Sequence, residues 1–310
     1  MIVKLEFRAM GCQMLAAIDH RSAQARRWLE RAPGWFEAWE DSLSRFRPDS
    51  ELSRLNRSPG EEVPVSRTLW EVFQASLEAE EQSQGLVTPT ILETLVSAGY
   101  DRSFDQLPSE QAAKATAHTA RWMPARTITL RPDRQTMRLP AGVRLDFGGI
   151  AKGWAAHQAM RRLQGYGPAL VDAGGDIAIS SLRLDGRPWL VGIDDPLHPG
   201  QSLGALALGR CGVATSGRDY RRWKQEGARK HHIIDPRSGA PAETDVLSAT
   251  VIAPTVMEAE MAAKTALILG SQQGLGWLAS QPAFAGLLVL EDGRILCGDN
   301  FEKYWWKERV

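Results

Sequence analysis

The stretch Ala205 to Thr215, ALALGRCGVAT, decides the fold. Small and branched apolar residues run through it without the three-to-four spacing of a helix, so it reads as a strand. Similar patterns recur at 188–193, 230–234 and 246–253, with no helix-length periodic segment among them. Helical spacing is concentrated earlier. Residues 22–45 carry it with a break near Pro33-Gly34, after which Trp35, Trp39 and Leu43 repeat every fourth position. Asp49-Ser50-Glu51 supplies side chains that accept from the free N–H groups of a short helix. In 67–84, Leu69, Val72, Phe73 and Leu77 share one face. Helices are also predicted over 149–163 and 256–269, and 102–125 reads as polar loop with some helix. The remaining strands are predicted at 2–7 and 13–18 around Met10-Gly11, at 127–131 and 136–140, up to Val171, and as a hairpin of 285–290 with 294–297 through Asp292-Gly293. Helices early, strands late and little βαβ alternation predict an α+β fold, with mixed or antiparallel sheets and packed helices.

Bulk properties exclude several function classes. The 310 residues are 43% hydrophobic and 24% charged, enough for a substantial core. Lys plus Arg and Asp plus Glu each number 37, so the balanced charge argues against bulk nucleic-acid or membrane-surface binding. No apolar run has the length of a membrane span. Cys12, Cys211 and Cys297 form no CxxC pair, which disfavours a zinc site or a disulfide framework and suits a reducing compartment. The opening MIVKLEFRAMGCQM lacks the apolar core of a signal peptide. The expectation is a cytoplasmic protein, or an exported form whose leader has been removed, with residues 1–310 as one domain.

Four constellations are candidates for chemistry. Asp146-Phe147-Gly148-Gly149-Ile150-Ala151-Lys152-Gly153 places two glycines before a helix start, where free N–H groups favour an anion. Lys152 adds positive charge, and Asp146 could accept from a ribose or base. A tight strand-to-helix turn with a surface lysine explains the same residues. Gly174-Gly175-Asp176 reads as a turn or bulge. Thr215-Ser216-Gly217 and the later His231-His232 could lie on strands of one hairpin, and two adjacent histidines could form a metal half-site. Glu260 and Lys264 share a helix face, a solvated ion pair or part of a site.

Order and spacing make the set specific. Met10-Gly11, Ser44 to Asn56, Pro89-Thr90, Asp146 to Gly153, Gly174-Gly175-Asp176, Thr215-Ser216-Gly217, His232 to Gly239 and the helix ending at Gly270 together resemble the FAD:protein FMN transferase, or ApbE-like, family. The resemblance implies two lobes around an FAD cleft, and transfer of FMN from FAD to a Thr or Ser hydroxyl of an acceptor protein with release of AMP. It implies FAD contacts by Met10, Phe46, Val87, Thr88, Pro89, Asp146, Lys152 and Ile234, and His232 as the activating base. It further implies Mg²⁺ held by the Gly149 carbonyl and by the positions of Glu260 and Lys264.

Three positions depart from the family pattern. Thr88 replaces an aspartate, Glu260 a second aspartate, and Lys264 a threonine. Thr265 is one residue out of phase, about 100° around the helix. A protonated lysine cannot ligate Mg²⁺, so Lys264 is expected either to occupy part of the ion's place and pair with Glu260, or to swing out to solvent while the remaining ligands hold the ion. Two other functions accommodate these departures: a catalytically weakened FAD-binding chain acting as flavin carrier or regulator, and an FAD diphosphatase yielding FMN and AMP.

Overall fold

The structure, a computed structural model, describes residues 1–22, 24–108, 110–111 and 122–307. Seven α-helices occur among them: α1 (Ala25–Leu29), α2 (Ala32–Leu43), α3 (Glu51–Asn56), α4 (Arg67–Gln82), α5 (Leu92–Ser97), α6 (Ala151–Leu163) and α7 (Val256–Ala279). The chain divides into two compact units, one of Met1–Trp35, Lys152–Asp219 and Thr244–Val310, the other of Phe36–Ala151 and Tyr220–Glu243.

The first unit is built on an eight-stranded sheet. Its strands are β1 (Ile2–Ala9), β2 (Cys12–Asp19), β3 (Ala169–Ala173), β4 (Asp176–Ile179), β5 (Cys211–Gly217), β6 (Val246–Ala253), β7 (Ala285–Leu290) and β8 (Ile295–Cys297). They lie side by side in chain order, and every neighbouring pair is antiparallel. Edge strand β1 alternates exposed Lys4, Glu6 and Arg8 with half-buried Leu5 and Phe7, whereas every residue of β7, paired on both sides, is buried. Val213, Ile252, Leu287 and Val289 pack on one face with Trp189 and Leu206, which belong to the antiparallel strands Trp189–Asp194 and Ser202–Leu208. The expected single strand over 205–215 is therefore two strands in different sheets, parted at Gly209-Arg210.

Helix α7 covers the other face, against β5, β6 and β7. Thr255 and Glu258 close its start reciprocally: the Thr255 Oγ1 accepts from Glu258 N at 3.2 Å, and Thr255 N donates to Glu258 Oε2 at 2.9 Å. The sequence periodicity predicts an end near Leu269. The helix instead kinks at Gly270, whose φ of 81° only glycine adopts cheaply, and continues to Ala279. Ser271 N donates to Asp245 Oδ1 at 2.9 Å and restarts the turn beyond the kink. Other boundaries also move. The break in 22–45 falls at Glu30-Arg31, and Pro33 sits in the first turn of α2, where its missing N–H has no helical partner to lose. Helix α6 starts at Ala151 rather than Gly149.

The second unit has α3, α4 and α5 with small sheets. Ser50 and Ser66 cap α3 and α4 by accepting from Ser53 N at 3.0 Å and Leu69 N at 3.2 Å. The segments Val63–Pro64, Thr129–Arg131 and Thr136–Arg138 form one sheet. Arg222–Gln225 pairs antiparallel with Ala228–His231 and parallel with Glu110–Gln111. The histidine-bearing strand thus finds its hairpin partner in 222–225, not in the strand of Thr215, which is flanked by β4 and β6. Leu95, Ala98, Tyr100, Trp223 and Ile234 make a core cluster in this unit. Much of the loop expected over 102–125 lies outside the described residues; Phe104–Gln106 is a single 3-10 turn. The α+β expectation holds, and no helix of the described residues is long and apolar enough to cross a membrane.

Gly212 faces α7 from β5, and a Cβ there would overlap the backbone of Thr255 and Val256 at the capped helix start. Gly212→Ala must push the two layers apart, so a loss of at least ~3 kcal/mol is expected in urea unfolding. A loss under ~1 kcal/mol would show that α7 does not sit this close.

Candidate functional site

Residues 146–153 meet two sets of partners. The first set belongs to the second unit. Asn56 clamps Leu145 like a strand partner, with Nδ2 donating to Leu145 O at 2.9 Å and Oδ1 accepting from Leu145 N at 2.7 Å. Asp146 N then donates to Pro89 O at 2.8 Å. The Asp146 carboxylate accepts from Gly148 N at 2.8 Å through Oδ1 and from Arg45 Nε at 2.6 Å through Oδ2. Arg45 also donates to Tyr100 O at 2.9 Å, and its guanidinium lies 4.0 Å from the Phe46 ring centroid and 4.7 Å from that of Tyr100. The arginine is thus held by charge, hydrogen bonds and two aromatic faces. Asp146 fixes the turn with both oxygens, which leaves a nucleotide only their remaining lone pairs.

Asp146, Gly149, Val87, Thr88 and Pro89 line one narrow cleft together with Ser76. Thr88, where an aspartate was expected, donates from Oγ1 to Glu80 Oε2 at 2.5 Å and lies 3.0 Å from Thr90 Oγ1. Glu80 also accepts from Ala125 N at 3.0 Å. A carboxylate therefore stands behind the threonine hydroxyl, supplied from α4. Phe46 is 39% exposed, so an aromatic face beside Arg45 is open to a planar ring.

The two histidines separate in role. Ile233 N donates to His231 Nδ1 at 3.3 Å, so that nitrogen is an acceptor and Nε2 carries the proton toward Ala242 O at 3.1 Å. His231 is a backbone clamp, and the metal half-site is not formed. His232 follows it, half-buried. The Ile234 side chain is buried in the Tyr100–Trp223 cluster, leaving its backbone for any ligand.

The second set belongs to the first unit. Met10 and Gly11 both have positive φ, 49° and 67°, and make the two-residue turn between β1 and β2. Lys152, in the first turn of α6, forms an ion pair with Asp176 at the start of β4. Glu260 of α7 is wholly buried; its Oε2 accepts from Gly153 N at 3.0 Å and its Oε1 from Lys264 Nζ at 3.0 Å. The expected Glu260–Lys264 contact is present. Thr265 turns back on its own helix, donating to Met261 O at 2.9 Å.

The four charges tune one another. Burial, then the like charge of Glu260, pushes Asp176 up to about 6 against the pull of Lys152 and Lys264. Burial alone would raise Glu260 too, but Lys264 and then Lys152 hold it below its ordinary value. Lys152 is raised: burial would lower it, and Asp176, then Glu260, outweigh that effect. The two carboxylates are thus shifted in opposite directions, Asp176 up and Glu260 down.

This donor set does not suit a divalent ion. Each Glu260 oxygen already holds an N–H donor, and one of those donors is an ammonium. Among the described residues no group of three or more His, Cys, Asp or Glu could hold a metal. Mg²⁺ requires near-octahedral oxygen coordination and is repelled by a neighbouring cation.

The sequence reading assigned no role to Arg45, Glu80 or Asp176. Arg45 adjoins Phe46, and Asp176 follows the Gly174-Gly175 turn, so their motifs carried a signal. Glu80 lies in the last turn of α4 among Glu78 and Glu81, with nothing in the sequence to set it apart.

A model of the ApbE family matches residues 10–288. The chain belongs to the ApbE family. It is 31% identical over 299 residues to the FAD:protein FMN transferase of Treponema pallidum (strain Nichols), covering 92% of this chain and 83% of that protein. It is 28% identical over 275 residues to the FAD:protein FMN transferase of Vibrio cholerae serotype O1, with 86% and 79% covered. Among solved structures, the ApbE protein of Thermotoga maritima aligns with a TM-score of 0.89 at 24% identity, over 99% of this chain and 100% of that one. The flavin transferase ApbE from Vibrio cholerae aligns at 0.80 and 24%, over 98% and 99%. These structures share the ApbE fold with this chain.

Two substitutions test the anchors of the site. Arg45→Ala strands the buried Asp146 carboxylate and is expected to cost about 4 kcal/mol in chemical denaturation. Arg45→Lys should recover part of that, because the charge returns without the planar fork. Glu260→Gln leaves the lysines short of one negative charge and should cost about 3 kcal/mol by the same measurement. Unchanged stability in Arg45→Ala or Glu260→Gln would count against the corresponding ion pair.

Proposed function

We propose that the chain is an FAD:protein FMN transferase, moving FMN from FAD to a Thr or Ser hydroxyl of an acceptor protein and releasing AMP. Residues 1–310 act in this reading as one flavin-transferase domain. The observation that carries it is the shared cleft: Val87, Thr88, Pro89 and Asp146, each implied at the FAD by the family resemblance, line one narrow cleft with Gly149, implied at the metal. Membership of the ApbE family supports it along most of the chain.

The chemistry is phosphoryl-type transfer. The acceptor oxygen attacks the FMN-side phosphorus, the pyrophosphate P–O bond breaks, and AMP leaves with the electron pair. His232 takes the hydroxyl proton, a role suited to a neutral imidazole near pH 7. Phe46 and Met10 border a ring of FAD, and Ile234 contacts it through backbone. The Asp146 turn and Lys152 hold the nucleotide. No step is assigned to Mg²⁺, because Glu260 and Lys264 satisfy each other.

The test mixes purified protein with FAD and a Thr-bearing acceptor protein, and reads FMN attachment by mass and AMP by chromatography. Attachment with stoichiometric AMP is expected, and His232→Ala should slow it at least ~100-fold while FAD retention is kept. Intact FAD retained without transfer would establish a flavin carrier instead. Free FMN and AMP formed without acceptor would establish a diphosphatase.

A further inference from the structure

The sequence offered one ammonium beside one carboxylate. The structure adds a second pair. Lys152 and Asp176, and Lys264 and Glu260, form two ion pairs within one unit, and each carboxylate feels both lysines. Asp176 is 1% exposed and Glu260 0%, so neither can recruit bulk water in place of its partner. Gly153 N closes the remaining Glu260 oxygen, and a Cβ on Gly153 would come within 2.7 Å of that oxygen. The quartet pairs two carboxylates with two lysines, and Asp172 adds a further carboxylate near Lys152.

A divalent ion at Glu260 would have to sit against the Lys264 ammonium in a buried place, which is strongly unfavourable. Displacing Lys264 first would strand its ammonium or require it to swing outward, and the side chain is only 15% exposed. Removing the ammonium by mutation lifts that repulsion: two carboxylates would then face one lysine, with an oxygen of Glu260 released.

We infer that Lys264 is a covalently built-in cation that occupies the place of a divalent metal, so this chain binds no divalent ion at Glu260 and handles its ligand without one. This rests on the flavin-transferase reading only for the identity of the ligand. Both lysines are committed to buried carboxylates, and a metal site lies latent under Lys264.

The experiment is a Mn²⁺ titration followed by electron paramagnetic resonance, on the full chain without FAD or acceptor. Mn²⁺ replaces Mg²⁺ as the probe because its free-ion signal is lost on binding. The wild type should leave micromolar Mn²⁺ free. Lys264→Thr, shown folded by circular dichroism, should bind one Mn²⁺ with affinity raised roughly 100-fold, the effect of deleting one like charge at a buried site. Excess Mg²⁺ should displace it, and adding Glu260→Gln should abolish it. One Mn²⁺ bound tightly by the wild type and lost in Glu260→Gln overturns the inference, as does a folded Lys264→Thr that gains nothing. Should Lys264→Thr not fold, the wild-type titration decides alone. A second arm measures FAD affinity of the wild type in EDTA and in Mg²⁺. Values within twofold are expected, and a tenfold gain with Mg²⁺ overturns metal-independent handling. Failure to bind FAD in either buffer removes the flavin-transferase reading and leaves the Mn²⁺ result standing.

Discussion

The fully buried carboxylate of Glu260 is the constraint on which the first unit depends. A carboxylate removed from water is tolerable only if its lone pairs are filled and its charge is met. Gly153 N and Lys264 Nζ meet those requirements from two helices, α6 and α7. The first turn of α6 is thereby pinned to the helix that covers the sheet. The close approach has a backbone cost that only small residues relieve, and glycine stands at Gly153 beside Glu260 and at Gly212 beside the start of α7. The Thr255–Glu258 cap then fixes where α7 begins, and with it the height of Glu260 and Lys264 above β5.

The second unit solves a parallel problem with different chemistry. Asp146 is also a buried carboxylate, but its partner is a guanidinium, not an ammonium. Arginine suits the position because its planar group can donate in two directions while lying against the rings of Phe46 and Tyr100. Lysine suits the Glu260 position because a compact charge fits one helical turn away on the same face. The choice of cation follows from geometry in each case: aromatic planes around Arg45, a helix face at Lys264.

Periodicity made the α+β class legible, along with β1, β2, β6 and the hairpin through Asp292-Gly293. It could not divide 205–215, because Gly209-Arg210 interrupts the strand without a strong turn signal. Nor could it foresee α7 beyond Gly270, since glycine marks a stop by local rules and the restart depends on Asp245 from a distant loop. The candidate site followed the same division. Val87 to Pro89 and Asp146 to Gly153 stood out as motifs, but Arg45, Glu80 and Asp176 act through contacts 101, 8 and 24 positions away along the chain. The adjacent histidines suggested a metal by type alone, and only the backbone partners of His231 show it to be a clamp.

The segment 146–153 shows why a glycine-rich turn of this kind should not be read as a bare anion cradle. Its two charged residues are each neutralised by an opposite charge drawn from their own unit, Asp146 by Arg45 and Lys152 by Asp176. Neither is a free charge waiting for a ligand. Under the proposed function, an incoming pyrophosphate would have to compete with Asp176 for Lys152, with Lys264 as a second cation in the same group of charges. Two lysines over two carboxylates can lean toward an added anion without leaving either carboxylate without a cation nearby. One lysine could not, since turning toward phosphate would strand its partner in a buried site at a cost of several kcal/mol. Under the proposed function, the second ammonium would keep a cation beside each carboxylate while Lys152 turned toward the added charge.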